Sequence, residues 1–150
     1  MEMQNSNMDI YTCKAKTLYD GKWITGYYLQ GKYWFDDEPM HFIFQANEVT
    51  VFPRSEFTDA HEIDPSTLCR YTGLNDQHDE PIFEHDWVHT EFGRTCEVVW
   101  FSSPSYVGWD LIPVSDFDDP PPNKCTLFSS ENLEVIANRF DFDNTNLMED

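Results

Sequence analysis

The residues best suited to chemistry in this chain are the run Glu84-His85-Asp86. Two carboxylates flanking an imidazole could supply a general acid and base, or ligands for a divalent cation. On a strand, Glu84 and Asp86 would share one face and His85 would take the other. His85 and His89 are four apart, which shares a face on a helix. The surrounding residues read as strand, where that spacing parts them by roughly 13 Å, too far for one zinc ion. Four cysteines, Cys13, Cys69, Cys96 and Cys125, form no Cys-x-x-Cys pair. Cys69 and Cys96 have no neighbouring histidine base, so free, mostly buried thiols are expected. There is no Asp-x-Asp-x-Asp-Gly calcium loop, glycine-rich phosphate loop, nucleophile elbow or dinucleotide fingerprint. No catalytic residue, no metal and no cofactor are expected, and the chain reads as a binder rather than an enzyme.

Charge is what sets it apart. Nine basic and 28 acidic residues among 150 give a net −19. Residues 1–75 carry six Lys/Arg and eleven Asp/Glu, residues 76–150 three and seventeen, so −5 and −14 of that total. Such an excess argues against direct binding to nucleic acid or anionic membrane, both of which need Lys/Arg. The candidate acidic surface comprises Asp36, Asp37 and Glu38; Asp76, Asp79 and Glu80; Glu84 and Asp86; Asp116, Asp118 and Asp119; and Asp141 and Asp143. The chain opens on a polar Met1–Asp9 without a signal-peptide pattern, and no apolar run is long enough to span a membrane. A reduced, cytoplasmic setting is expected.

Apolar residues make up 40 % and aromatics 16 %, enough for a core and biased toward strands. The pattern predicts a mainly β protein. Strands are expected from Ile10 to Leu18, Trp23–Gln30, Lys32–Phe35, Met40–Gln45 and Val49–Phe52, with a turn at Tyr19–Lys22 and a second at Gly31. Pro53–Ile63 reads as polar with one short helical turn, and Gly73 to Pro81 as a loop. Further strands are expected at Trp87–Glu91, Thr95–Phe101, Val107–Val114, Thr126–Phe128 and Leu133–Phe140. In Thr95–Phe101, Cys96, Val98 and Trp100 share one face. Trp87 and Trp100 are expected as core rings, each contributing roughly 3–5 kcal/mol against alanine. Asp116–Pro122, with three consecutive prolines, is expected as an exposed acidic loop. The division reads as a flexible N-terminus over 1–9, an N-terminal β meander over 10–63 and a C-terminal β module over 64–150.

Arg70-Tyr71-Thr72-Gly73-Leu74-Asn75-Asp76 followed by Ile82-Phe83-Glu84-His85-Asp86-Trp87-Val88 resembles the signature of the YopX family of phage and prophage proteins. Glu134-Val135-Ile136-Ala137-Asn138-Arg139-Phe140 resembles its closing motif. Asp20–Tyr28 resembles the tryptophan-glycine-tyrosine hairpin near the start of longer members, and Asp64-Pro65-Ser66-Thr67 the lead-in to the central motif. The chain departs from the family at His85, where glycine is common, at His78-Asp79-Glu80, where an Asn-Gly-Lys turn is common, and at Ala137, where glycine is common. The resemblance implies a phage origin, an intracellular site of action, and a β-rich fold whose C-terminal module is an SH3-like barrel. It implies no established activity. Read from the residues, the central motif is architecture. Gly73 supplies a positive φ, Asp76 closes an Asx-turn, Ile82, Phe83, Trp87 and Val88 anchor a core, and Glu84 and Asp86 accept backbone N–H groups at a bend.

A rigid β protein displaying carboxylates can occupy a channel built for a phosphate backbone. The expected partner is therefore a basic host nucleic-acid-binding protein, such as a restriction or CRISPR effector, inhibited by this nucleic-acid mimic. The alternatives are a structural or oligomerisation module of a phage, in which acidity serves solubility and the chain is a homo-oligomer, and a small-molecule binder.

Overall fold

The structure, a computed structural model, describes residues 8–45, 60–114 and 127–142. Strands dominate, and no α-helix occurs among the described residues. The chain divides into two compact units, Asp9–Tyr71 and Thr72–Asp150. The boundary lies inside a strand, β5 (Cys69–Asn75).

The first unit is built from β1 (Thr12–Lys16), β2 (Trp23–Gly31), β3 (Met40–Phe44), β4 (Ala60–Glu62) and the start of β5, in the order β4-β3-β2-β1-β5. β1 and β2 form the expected hairpin, with Ala15 opposite Ile24 and Cys13 opposite Gly26. These pairs point inward with Ile43 and Ile63 and form the core, with Tyr28 and Leu68 packed against it. The hairpin turn is closed by Gly21 at φ 71° and by the Asp20 carboxylate, which accepts the Thr17 hydroxyl and the Lys22 N–H. The Thr17 hydroxyl, then the Lys22 N–H, hold the Asp20 carboxyl below its ordinary value. The turn keeps this support above the ordinary carboxylate range and loses it as pH falls through the depressed value.

Lys32–Phe35 is not a strand. β2 continues through Gly31 into a loop, and the strand after it is β3. The loop is turned by the Asp36 N–H donating to the Tyr33 carbonyl, and by the Glu38 N–H donating to the Asp36 carboxylate. Val49–Phe52 lies outside the described residues, as do residues 53–59. Ala60–Glu62, expected as polar connection, pairs with β3 as an edge strand.

Gly73 to Pro81 is only partly loop. Residues through Asn75 belong to β5, and Gly73, at φ 90°, sits within that strand. The second unit continues with β6 (Pro81–Phe83) beside β5, then β7 (Asp86–His89), β8 (Thr95–Ser103), β9 (Tyr106–Pro113) and β10 (Glu134–Asn138). The last four form an antiparallel sheet in the order β10-β7-β8-β9. Among the described residues no ladder joins β9 to β10, so the sheet is open and the SH3-like barrel is not closed. Its inner face carries Val88, Cys96, Val98 and Leu111, which pack with Ile82, Leu133, Leu74 and Val135. Leu127–Asn132, where a strand was expected over Thr126–Phe128, is a 3₁₀ turn, and a second 3₁₀ turn, Arg139–Phe142, follows β10. Asp116–Pro122 lies outside the described residues.

The two expected core tryptophans lie elsewhere. Trp100 is on the inner face of β8 but beyond the end of the core. It is 41 % exposed and meets Trp109 edge to face across the β8–β9 ladder, with ring centroids 5.0 Å apart. Trp87 is half-buried on the outer face, opposite Glu97 in the ladder and stacked on Phe142. Cys13, Cys69 and Cys96 are buried and in no disulfide. Cys13 sits opposite Arg70 while Cys69 sits opposite Lys14, so the two thiols leave opposite faces of the sheet.

Gly26 marks a close approach of β2 to β3. A Cβ there would collide with the Phe44 carbonyl oxygen and lie 2.9 Å from Cγ2 of Ile43. Gly26→Ala is expected to lower unfolding free energy by about 1–3 kcal/mol, read from urea denaturation. Trp100→Ala is expected to cost only about 1–2 kcal/mol, because the ring is half in water and mainly loses its aromatic pair. A loss of the size of a fully buried ring would contradict that placement.

Candidate partner-binding surfaces

The acidic residues separate into structural and surface groups. Asp76 is buried. Its Oδ1 accepts the N–H groups of His78 and Glu80 at 2.8 and 2.9 Å, and its Oδ2 accepts that of Val135 at 2.8 Å. One carboxylate thus closes the β5–β6 turn and ties it to the start of β10. Asp86 is 1 % exposed. Its Oδ2 accepts the Phe83 N–H and its Oδ1 the Asn138 side-chain amide, both at 2.8 Å. Asn138, equally buried, also donates to the Glu84 carbonyl, and its own Oδ1 accepts the Phe140 N–H. Asp76 and Asp86 are therefore withdrawn from the acidic surface. Their carboxylates are taken up by backbone N–H groups and, at Asp86, also by the Asn138 side-chain amide.

The bend between these contacts is strained at His85, whose φ is 70°. A side chain rarely occupies this left-handed region, which glycine enters freely. The backbone is held on both sides, since the His85 N–H donates to Val98 and its carbonyl accepts from Arg139. The imidazole compensates through packing. Its Nδ1 lies 2.8 Å from Glu97 Oε2 and its Nε2 3.9 Å from Glu84, and its ring meets Phe140 edge-on. Glu97 also accepts from Trp87 Nε1 at 3.2 Å and lies 3.6 Å from Arg139. Glu84 is thus drawn, partly buried, into a local cluster. Among the described residues no group of three or more His, Cys, Asp or Glu side chains is arranged to hold a metal ion.

The remaining acids face solvent on turns. Asp79, at φ 66°, and Glu80 are exposed on the β5–β6 turn, where Asn75 donates to Asp79. Asp141 is exposed in the last 3₁₀ turn and accepts the Asn138 N–H. Asp36, Asp37 and Glu38 are exposed on the β2–β3 loop, with Lys32 3.7 Å from Asp37. Asp116, Asp118, Asp119 and Asp143 lie outside the described residues. Tyr33, Trp34 and Phe35, directly before Asp36, are all exposed. Three consecutive rings were visible in the sequence, but their strand-like composition hid their exposure.

The Asp86–Asn138 contact is expected to be a stability determinant, not a binding one. Asp86→Ala leaves the Phe83 N–H and the Asn138 amide without their acceptor in the interior, at a cost of roughly 3 kcal/mol or more. Asn138→Ala should do comparable damage, and the double variant should lose less than the sum, by denaturant titration. Additive losses would show that the two side chains act independently.

The YopX family model, described as YopX protein, matches residues 14–149. No curated protein matches the chain. The matched range takes in both segments that meet at Asp86 and Asn138, so the contact that organises the second unit lies wholly inside it. The chain belongs to the YopX protein family.

Proposed function

We propose that this chain is a non-enzymatic phage accessory protein that binds a basic nucleic-acid-binding protein of the host and inhibits it by presenting carboxylates in place of phosphates. Family membership makes the chain phage-associated. The observation that carries the reading is the position of the exposed acids on internally braced turns. Asp36, Asp37, Glu38, Asp79, Glu80 and Asp141 remain on the surface after the two buried carboxylates are set aside. Acids held on fixed turns lose little freedom on binding, and a net −19 steers them to a basic channel. The partner class would be a restriction or CRISPR effector, or another protein with a basic groove.

A structural or assembly role is favoured by a different observation. Phe101, Tyr106 and Ile112, on one face of β8 and β9, are exposed apolar side chains. Exposed apolar clusters mark association surfaces, and a homo-oligomer would cover them.

The two readings part in one experiment. The partner is captured from host lysate, purified, and titrated with the chain at low and high salt with DNA as competitor. Mimicry predicts salt-sensitive binding that DNA displaces, because exposed charges are screened over roughly 8–10 Å at physiological ionic strength. Asp79→Asn with Glu80→Gln, and separately Asp116, Asp118 and Asp119 each to Asn, should slow association while leaving the melting temperature unchanged. Salt-independent binding, no DNA competition and no effect of either variant would together overturn it. A sedimentation coefficient above that of the monomer, with no such partner, would favour assembly.

A further inference from the structure

We propose that the β2–β3 loop, Lys32 to Pro39, is a preformed anchor for an arginine-rich face of a partner protein. The proposal rests on the reading of the partner as basic, and it specifies which cation and which part of this chain meet. Trp34 is 92 % exposed, Phe35 67 % and Tyr33 55 %. Three consecutive large rings in water are disfavoured in a soluble protein unless something uses them. They also hold one another. Tyr33 and Phe35 stack at 5.2 Å with planes 8° apart, and Trp34 stands edge-on to Phe35 at 5.4 Å. The backbone beneath is closed by the Asp36 N–H to Tyr33 and the Glu38 N–H to Asp36 bonds, and Lys32 approaches Asp37 across the loop. The rings are therefore ordered before binding, which lowers the entropy cost of using them.

The chemistry of the occupant follows from the two halves of the loop. The rings offer flat apolar faces, and Asp36, Asp37 and Glu38 follow them directly. A guanidinium suits both, since its plane stacks on an aromatic face while its N–H fork takes a carboxylate. An ammonium is strongly hydrated and stacks less well, so it answers mainly the charge. An acidic partner is excluded by repulsion. A second copy is disfavoured on the same ground, because it would set its own Asp36, Asp37 and Glu38 against these.

The test uses the full chain with fluorescein-labelled nona-arginine and nona-lysine, read by anisotropy at low and high salt. The wild type is expected to bind nona-arginine about tenfold tighter than nona-lysine. Changing Tyr33, Trp34 and Phe35 each to Ser should abolish that preference while salt-sensitive binding to both peptides persists. Asp36→Asn, Asp37→Asn and Glu38→Gln together should weaken both peptides. If the triple serine variant unfolds by circular dichroism, Trp34→Ala, at the most exposed ring, is expected to reduce the preference alone. Equal affinity for the two peptides, or an arginine preference that survives loss of the rings, overturns the proposal and leaves the basic-partner reading standing. Failure to bind either peptide overturns both. A wild-type dimer that the ring variants convert to monomer assigns the loop to a second copy and overturns the proposal as well.

Discussion

The second unit depends on one buried contact, the Asp86 carboxylate against the Asn138 amide. Removing an ionised carboxylate from water costs several kcal/mol unless its lone pairs are taken up by well-placed donors. Here both oxygens are satisfied, one by Asn138 and the other by the Phe83 N–H, and the Asn138 oxygen accepts the Phe140 N–H in turn. The partners are 52 residues apart in the chain. β10 therefore cannot slide along β7 without leaving a buried carboxyl group short of these donors. Asp76 repeats the device at the other end of β10, where it accepts the Val135 N–H. Between these two clamps the β10–β7 ladder shifts register at Val135/Ala137, and Ile136 is pushed outward.

The same contact explains why His85 can hold a left-handed backbone. The bend from Phe83 to Asp86 is closed by the carboxylate, and the His85 backbone bonds to Val98 and Arg139 on either side. An L residue in this conformation costs roughly 1–2 kcal/mol. The imidazole offsets part of that cost by joining Glu97, Glu84 and Phe140. Strain here accompanies a packed side chain, at a bend that glycine would enter without strain but also without these contacts.

The acidity of this chain is consequently not of one kind. Two carboxylates stabilise the second unit from inside, while those on the turns raise self-repulsion and gain little from folding. Acids in the second group are mounted on short turns fixed by hydrogen bonds, as with Asp79 at the β5–β6 turn and Asp36 in the β2–β3 loop. In the proposed interface the exposed rings of the β2–β3 loop would add the apolar contact area that charge alone lacks. Carboxylates steer and orient an encounter, whereas buried aromatic surface slows its dissociation.

Much of the fold was legible in the residues themselves. The hairpin from Thr12 to Gly31 follows from the Tyr19–Lys22 turn, and the faces of β8 follow from the alternation of Cys96 and Val98. The central motif is architectural as its residue types imply, with Gly73 at positive φ and Asp76 closing its turn. Local pattern could not say where the core ends. Trp100 shares a face with Val98 yet lies partly in water, because neighbours from strands distant in sequence decide how far burial extends. Nor could it sort the acids. Asp76 and Asp79 stand three apart in one turn, but only Asp76 meets the Val135 N–H, and the resulting desolvation makes one structural and leaves the other on the surface. Residue type determines what a carboxylate or a ring is able to do. The tertiary structure decides whether water or protein surrounds it, and so which of those things it does.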